Sequence, residues 1–366
     1  MLKNKNSSIL LYTLLILSII TLLTQQLIRN AWVGIFFNSN TIAKEQARVL
    51  AISGVNLAIS QLTLIQPSKE KTKEVKQKEV EKKALKDFLF CVLPNINRWQ
   101  IFNLKEKYDG IDGQIKFCIC CENGKININQ AFDFKKGEFK NEYKILLGGL
   151  YLKGRFKEGE ILKRLTEFLK DRKRKLDDIS QLVNIKGLEE LDLFYRPPKL
   201  PLQVRGSKSN TRIALQDLFT TWSEKSELEL LFLSDSTLAV FGQQRPMAND
   251  SKRFKDKFSQ LIKVYEKNWG SNWKKNWKFL LPIYGPRSKK IDRLGKILSK
   301  EFGPNVYSVL SCGVVNGVEQ LLLTVIKEVE VKSDVDNSKK KTKAIDKKKE
   351  KVKIRKIFKI LRMYWI

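Results

Sequence analysis

Hydrophobic and polar residues change rhythm several times along the chain, and each change marks an element. From Ser8 to Ile28 no charged residue occurs, and most side chains are Leu, Ile or Thr. At about 1.5 Å per residue this run makes a helix of ~30 Å, the thickness of a hydrocarbon core. A cleaved secretory core is shorter and ends in a small-x-small site, whereas this run ends in Gln25, Gln26 and Arg29. It therefore reads as one retained membrane span, and Lys3 and Lys5 ahead of it favour a cytoplasmic N-terminus. The helical rhythm then continues. Ala47, Ala51, Gly54, Val55, Ala58 and Leu62 recur at three- and four-residue spacing, and the run stops at Pro67. A stripe of small residues lets another surface approach closely, either within the chain or at a seam with neighbouring subunits.

Residues 68–83 are a mixed-charge stretch without aromatics, read as a solvated helical extension or linker. Strand-like alternation follows over 98–106 and 113–121, then Asn123-Gly124, a hairpin-turn signal. From about 138 to 302 the period is helical, as in EGEILKRLTEFLKDRKRKLDDISQLV and SKRFKDKFSQLIKVYEKNW, with a Pro-rich break at 197–201. Strand character returns over 305–331, with a second hairpin signal at Asn316-Gly317. A Lys-rich loop covers 332–351, and the chain ends in KVKIRKIFKILRMYWI. As a strand, that ending puts Ile354, Phe358, Ile360 and Tyr364 on one face. As a helix, it aligns Ile354, Ile357, Phe358, Leu361 and Trp365 into a basic membrane-surface segment. No internal repeat is evident. The order implies an α+β fold, with a long N-terminal transmembrane helix packed on an antiparallel sheet and an inserted all-α domain. Its parts are the helix to 66, sheet segments 84–133 and 303–366, and the insertion 134–302.

Lys and Arg total 70 against 39 for Asp and Glu, a net charge of +31, and the chain has no histidine. The missing imidazole excludes Ser-His-Asp and Cys-His catalysis and His-dependent metal sites. The positive balance suits nucleic acid or an anionic membrane surface. However, it is carried mainly by Lys, with frequent Asn and Ile, which also fits compositional drift on solvated faces.

Three segments resemble a known family. KNKNSSILLYTLLILSII is similar to the start of a type IV pilin-type precursor, with a short basic leader (1–7), a cut after a small residue and a retained apolar helix. AKEQARVLAISGVNLAISQL (43–62) and CENGKININ (121–129) resemble the helix stripe and a hairpin motif of the minor pseudopilin K family of the type II secretion system. LDDISQLVNIKGLEEL (176–191) is similar to a helical segment of that family. The resemblance implies cleavage between Ser7 and Ser8, where the family has Gly before the cut, followed by methylation of the new N-terminus. It implies a subunit interface along Ala47, Ala51, Gly54, Val55, Ala58 and Leu62. It carries the hairpin motif onto Glu122, Gly124, Lys125, Asn127 and Asn129, with Cys121 where the family has Asp.

Most pilins carry Glu five residues after the cut, whereas this chain has Tyr12. A carboxylate in the bilayer is costly unless paired. A subunit at the very tip has no neighbour ahead of it to supply the partner, so its loss there removes an unpaired charge.

The function so implied is a non-enzymatic tip subunit of a short pseudopilus that helps move proteins across the outer membrane. The partners implied are I-like and J-like minor pseudopilins, the major pseudopilin and the inner-membrane assembly platform. The location implied is the bacterial inner membrane, with the main domain in the periplasm. The alternative is a membrane-anchored cationic nucleic-acid-binding protein related to DNA-uptake pilins, suggested by the charge and by Gly187. There a second glycine position holds Glu189, which repels phosphate.

Other chemistry is sparse. The cysteines are Cys91, Cys118, Cys120, Cys121 and Cys312. Only one cluster exists, so a four-sulfur zinc site lacks its second pair. Small buried side chains are the main reading, and a bridge from Cys118 or Cys120 to Cys312 is the other. Asn127 and Asn129 fall on the polar face of one strand, with Ile126 and Ile128 inward, and read as packing and turn chemistry. No cofactor is implied. Asp334, Asp336 and Asn337 offer oxygens suited to calcium, which pseudopilins often bind, but the surrounding lysines oppose a dication.

Overall fold

The computed structural model describes residues 4–63, 95–148, 150, 159–188, 215–241, 297–299, 305–333 and 353–366. The linker 68–83, Cys91, the Pro-rich break at 197–201, the helical segment 251–269, Glu189, Asp334, Asp336 and Asn337 lie outside the described residues.

A single helix, α1 (Asn4–Thr63, 60 residues), carries the apolar run and the small-residue stripe without interruption. At 1.5 Å per residue it is ~90 Å long. From Tyr12 to Ile42 it is exposed among the described residues, and burial begins at Ala43. From there to Leu62 it lies on a five-stranded antiparallel sheet formed by β1 (Trp99–Leu104), β2 (Gly113–Cys121), β3 (Val306–Val315), β4 (Val318–Ser333) and β5 (Lys353–Trp365), in that spatial order. Nearly 200 residues thus separate two strands, β2 and β3, that pair directly from Gln114↔Val314 to Cys121↔Tyr307.

The β3–β4 turn is the two-residue Asn316-Gly317 connection foreseen from the sequence. Both residues have positive φ, 49° and 79°, which matches the strand twist. The C-terminal segment is a strand, but it does not keep one face. The register passes from Ile326↔Ile360 to Val325↔Arg362 and leaves Leu361 over as a bulge. The extra residue reverses the alternation. Ile360 pairs with Ile326 on the α1 side, whereas Tyr364 pairs with Leu323 on the opposite side. The expected common face of Ile354, Phe358, Ile360 and Tyr364 is therefore split by the bulge.

The described residues between β2 and β3 cover the sheet face away from α1. They include α2 (Asn141–Leu147), α3 (Glu160–Arg172), α4 (Asp235–Val240) and several short turns. α3 buries Ile161, Leu165 and Leu169 at four-residue spacing. Two departures from the all-α expectation occur. Phe132–Asp133 pairs with Glu138–Phe139, and Ile126–Asn127 pairs in parallel with Phe219–Thr220. The stretch LDDISQLVN forms a 3-10 turn (Ile179–Asn184) rather than an extension of α3. Lys173 ends that helix with positive φ, and Asp178 caps the turn by accepting from the Ser180 N–H.

Candidate functional site

Two regions hold the residues singled out by the sequence: α1 and the turn after β2. Ser7 and Ser8 lie within α1, which runs unbroken through the expected cut. From Tyr12 onward the helix is mostly apolar and, among the described residues, uncovered as far as Ile42. Leu14, Leu17, Leu22, Leu27, Trp32, Phe36 and Phe37 are all exposed, Trp32 and Phe36 at 70% and 71%. Uncovered apolar surface therefore extends past Arg29 to Phe37, well beyond the charge-free run. The hydroxyls in this stretch are satisfied by the helix itself. Ser18 donates to the Leu15 carbonyl (2.8 Å), Thr24 to that of Ile20 (2.8 Å), and Thr21 to that of Leu17. A polar group that closes its own hydrogen bond enters hydrocarbon without leaving a partner behind. Among the described residues this is one helix long and apolar enough to cross a membrane.

The stripe Ala47, Ala51, Gly54, Val55, Ala58 and Leu62 does not face outward as a subunit interface. All but Gly54 are at most 1% exposed, and Gly54 too is buried, because the chain's own sheet covers them. The small residues bring backbone against backbone. A Cβ added to Gly313 of β3 would overlap the Ala47 carbonyl oxygen and lie 2.8 Å from the Ala51 nitrogen, and one added to Gly54 would overlap the Ser311 hydroxyl. A face so close to its own sheet leaves no room for a neighbour. What remains outward on this part of α1 is Ile42, Val49, Ile52 and Leu57 with polar residues between them.

The turn after β2 is not a hairpin. Glu122–Gly124 is a 3-10 turn, and the following strand Ile126–Asn127 pairs with the inserted segment instead of returning along β2. Asn127 is buried, and Ile128–Ala131 is helical, so the proposed polar strand face of Asn127 and Asn129 does not form. Three of the motif residues, Gly124, Asn127 and Asn129, instead tie this turn to the insertion. Gly124 passes so close to Phe232 that a Cβ would overlap its carbonyl oxygen, and Ser234 N–H donates to the Gly124 carbonyl (3.3 Å). The Asn127 amide donates to the Ser223 carbonyl, while its oxygen accepts from the N–H groups of Asn129 (3.0 Å) and Gln130 (3.3 Å). The Asn129 amide makes two 2.8 Å bonds with the Leu176 backbone, one as donor and one as acceptor.

Glu122 and Lys125 form an ion pair at 2.5 Å with both side chains 4% exposed. Ser308 of β3 donates to Glu122 (2.6 Å) and accepts from Lys125 (3.3 Å). Burial alone would pull the Lys125 ammonium down. The Glu122 carboxylate outweighs it, helped by Cys120 and Asp217, and holds the pKa above the ordinary lysine value. Beside the pair, a cavity of about 330 Å³ lies between sheet and insertion, lined in part by Asp178, Phe219, Trp222, Val325 and Tyr364.

Three further attachments were invisible in the sequence. Asn123 accepts from the N–H groups of Asn305 and Val306 (both 3.3 Å), the Tyr364 hydroxyl donates to Asp178, and Arg48 of α1 stacks 5.2 Å over the Trp365 ring. All three join positions far apart in the chain, and no local pattern reports such pairs.

No disulfide joins Cys118, Cys120, Cys121 and Cys312, so the bridge from Cys118 or Cys120 to Cys312 is not formed. Cys118 sits opposite Leu310, and Cys312 opposite Lys116. The Cys118 and Cys120 sulfurs lie 3.8 Å apart on one face of β2. Among the described residues, no three Cys, Asp or Glu side chains gather as they would around a metal ion.

No protein-family model matches this chain, and no curated protein matches it. It is similar to a chain in the crystal structure of the GspK-GspI-GspJ complex from the enterotoxigenic Escherichia coli type 2 secretion system, with 14% identity and a TM-score of 0.42. The match covers 88% of this chain and 96% of that one.

Proposed function

We propose that the chain is a membrane-anchored structural subunit of the minor pseudopilin K kind, working through association rather than catalysis. The observation that carries this reading is the division of labour along α1. Its first half exposes a continuous apolar surface, and its second half is fused to a sheet through backbone-close packing. Force or position applied to such a rod in the bilayer is transmitted directly to the folded body.

In this reading the leader is cut before Ser8, which is then methylated, and the helix sits in the inner membrane with the sheet in the periplasm. The insertion caps the tip of a short pseudopilus with I-like and J-like subunits, a major subunit and the assembly platform as partners. Contacts to sister helices fall on the exposed apolar half of α1 and on Val49 and Ile52, since the small-residue stripe is already occupied. Mass spectrometry of the membrane-extracted protein should find a methylated Ser8 as the first residue. An intact Met1 would overturn the pilin-type reading while leaving a plain membrane anchor.

A further inference from the structure

Among the described residues the outer edge of β5 is long, open and basic. β5 is the last strand of the sheet and pairs on one side with β4 over Lys353–Trp365. Among the described residues nothing pairs with its other side, and Ile357, Ile360, Met363 and Trp365 are 45%, 43%, 44% and 44% exposed. An open edge of this length and apolarity is a template for another strand unless something blunts it. Here the sequence supplies Lys353, Arg355, Lys356, Lys359 and Arg362, with no acidic residue from 353 to 366. Two copies of β5 laid edge to edge would bring cations against cations, which disfavours self-pairing. The strand already paired with β5 is mixed in charge: β4 places Glu328 opposite Phe358 and Glu330 opposite Lys356, but Lys327 opposite Lys359.

We infer that the free edge of β5 is a docking strand for an extended, acidic segment of a partner protein. The segment adds a sixth strand by main-chain hydrogen bonds, and its Asp or Glu residues at alternate positions meet Lys359, Arg362 and their neighbours. The charge that bars a second copy selects this partner. The Leu361 bulge bends the strand, so the straight run from Lys353 to Ile360 offers the longest uninterrupted register. The inference is independent of the proposed membrane role, since it uses only the sheet edge.

The test uses the full chain in detergent and a fluorescent, end-capped peptide of about ten residues alternating Glu with Val, read by anisotropy. Three controls accompany it: a Lys–Val peptide, the Glu–Val peptide with a central proline, and a single-stranded DNA oligonucleotide. The Glu–Val peptide is expected to bind at roughly 50 mM salt and to weaken about tenfold by about 300 mM, while the Lys–Val and proline-interrupted peptides do not bind. The variant Lys359→Glu, at a position opposite Lys327, should weaken binding of the Glu–Val peptide about tenfold with unchanged thermal unfolding. Equal binding of the proline-interrupted peptide would overturn strand addition in favour of mere charge attraction. Displacement of the peptide by the oligonucleotide, or no binding at low salt, would overturn an acidic protein segment as the occupant.

Discussion

Gly313 of β3 lies directly beneath Ala47 of α1, so close that a methyl group on the glycine would overlap the alanine's carbonyl oxygen. That contact explains why the stripe on α1 is built from small residues. Helix and sheet meet at backbone distance, and each side chain in the seam is sized by the strand beneath it. Gly313→Val should therefore force the helix off the sheet and cost about 3 kcal/mol. Chemical unfolding of the detergent-solubilised chain, followed by tryptophan fluorescence, measures it. Gly34→Ala, with nothing within 4 Å of the added carbon, should change stability by less than about 0.5 kcal/mol.

Both side chains of the Glu122–Lys125 pair are only 4% exposed, so removing one partner leaves the other charge buried. Lys125→Met is expected to destabilise by about 3–5 kcal/mol, and the double change with Glu122→Leu to recover most of that loss. A double-mutant cycle on unfolding midpoints reads the coupling. Additive losses would show that the pair is not a unit.

Alkaline pH should loosen the same region. Burial raises the hydroxyl pKa of Tyr307, and burial with the bond to Asp178 raises that of Tyr364, while Lys125 is raised by Glu122 against its burial. All three folded values exceed their unfolded ones. Their stabilising contribution is thus complete below the ordinary values near 10 and is lost as pH rises through the folded values. Unfolding free energy should be flat in these groups from about pH 7 to 9 and fall above about pH 10. Buried Cys121 and Cys312 add a decline that begins near the ordinary thiol value of about 8.5, so the mark of these three groups is a further fall above about pH 10, and its absence would contradict the assignment.

The thiols should differ in reactivity. Burial, with Glu319 nearby, pushes Cys312 up to about 11, and burial raises Cys121 well above its ordinary value. At pH 8 only about a thousandth of Cys312 is thiolate. Alkylation followed by peptide mapping should therefore label half-buried Cys120 first among the described cysteines, and label Cys121 and Cys312 only on unfolding.

Much of this molecule was legible residue by residue. The absence of charge from Ser8 to Ile28 and the three- and four-residue stripe to Leu62 determined a long helix with one packed face. Alternation over 113–121 and 305–331, with Asn316-Gly317 between two strands, determined the sheet core, because side-chain period and turn chemistry are local properties. Local signals also misled. Asn123-Gly124 carries the same turn signal, yet its backbone is claimed by Phe232 and Ser234 from the insertion, so the chain turns there without forming a hairpin.

What only the tertiary structure decided was the partner of each face. The stripe's small residues were equally suited to a neighbouring subunit or to the chain's own strands, and the close approach of Gly313 settles it for the strands. The final segment could have been a strand or an amphipathic helix. Pairing with β4 makes it a strand, and one unpaired residue, Leu361, then sends Tyr364 to Asp178 and Trp365 to Arg48 on opposite faces. Periodicity records that a face is apolar or small. It does not record which distant surface will cover that face, because that depends on contacts between residues nearly 200 positions apart.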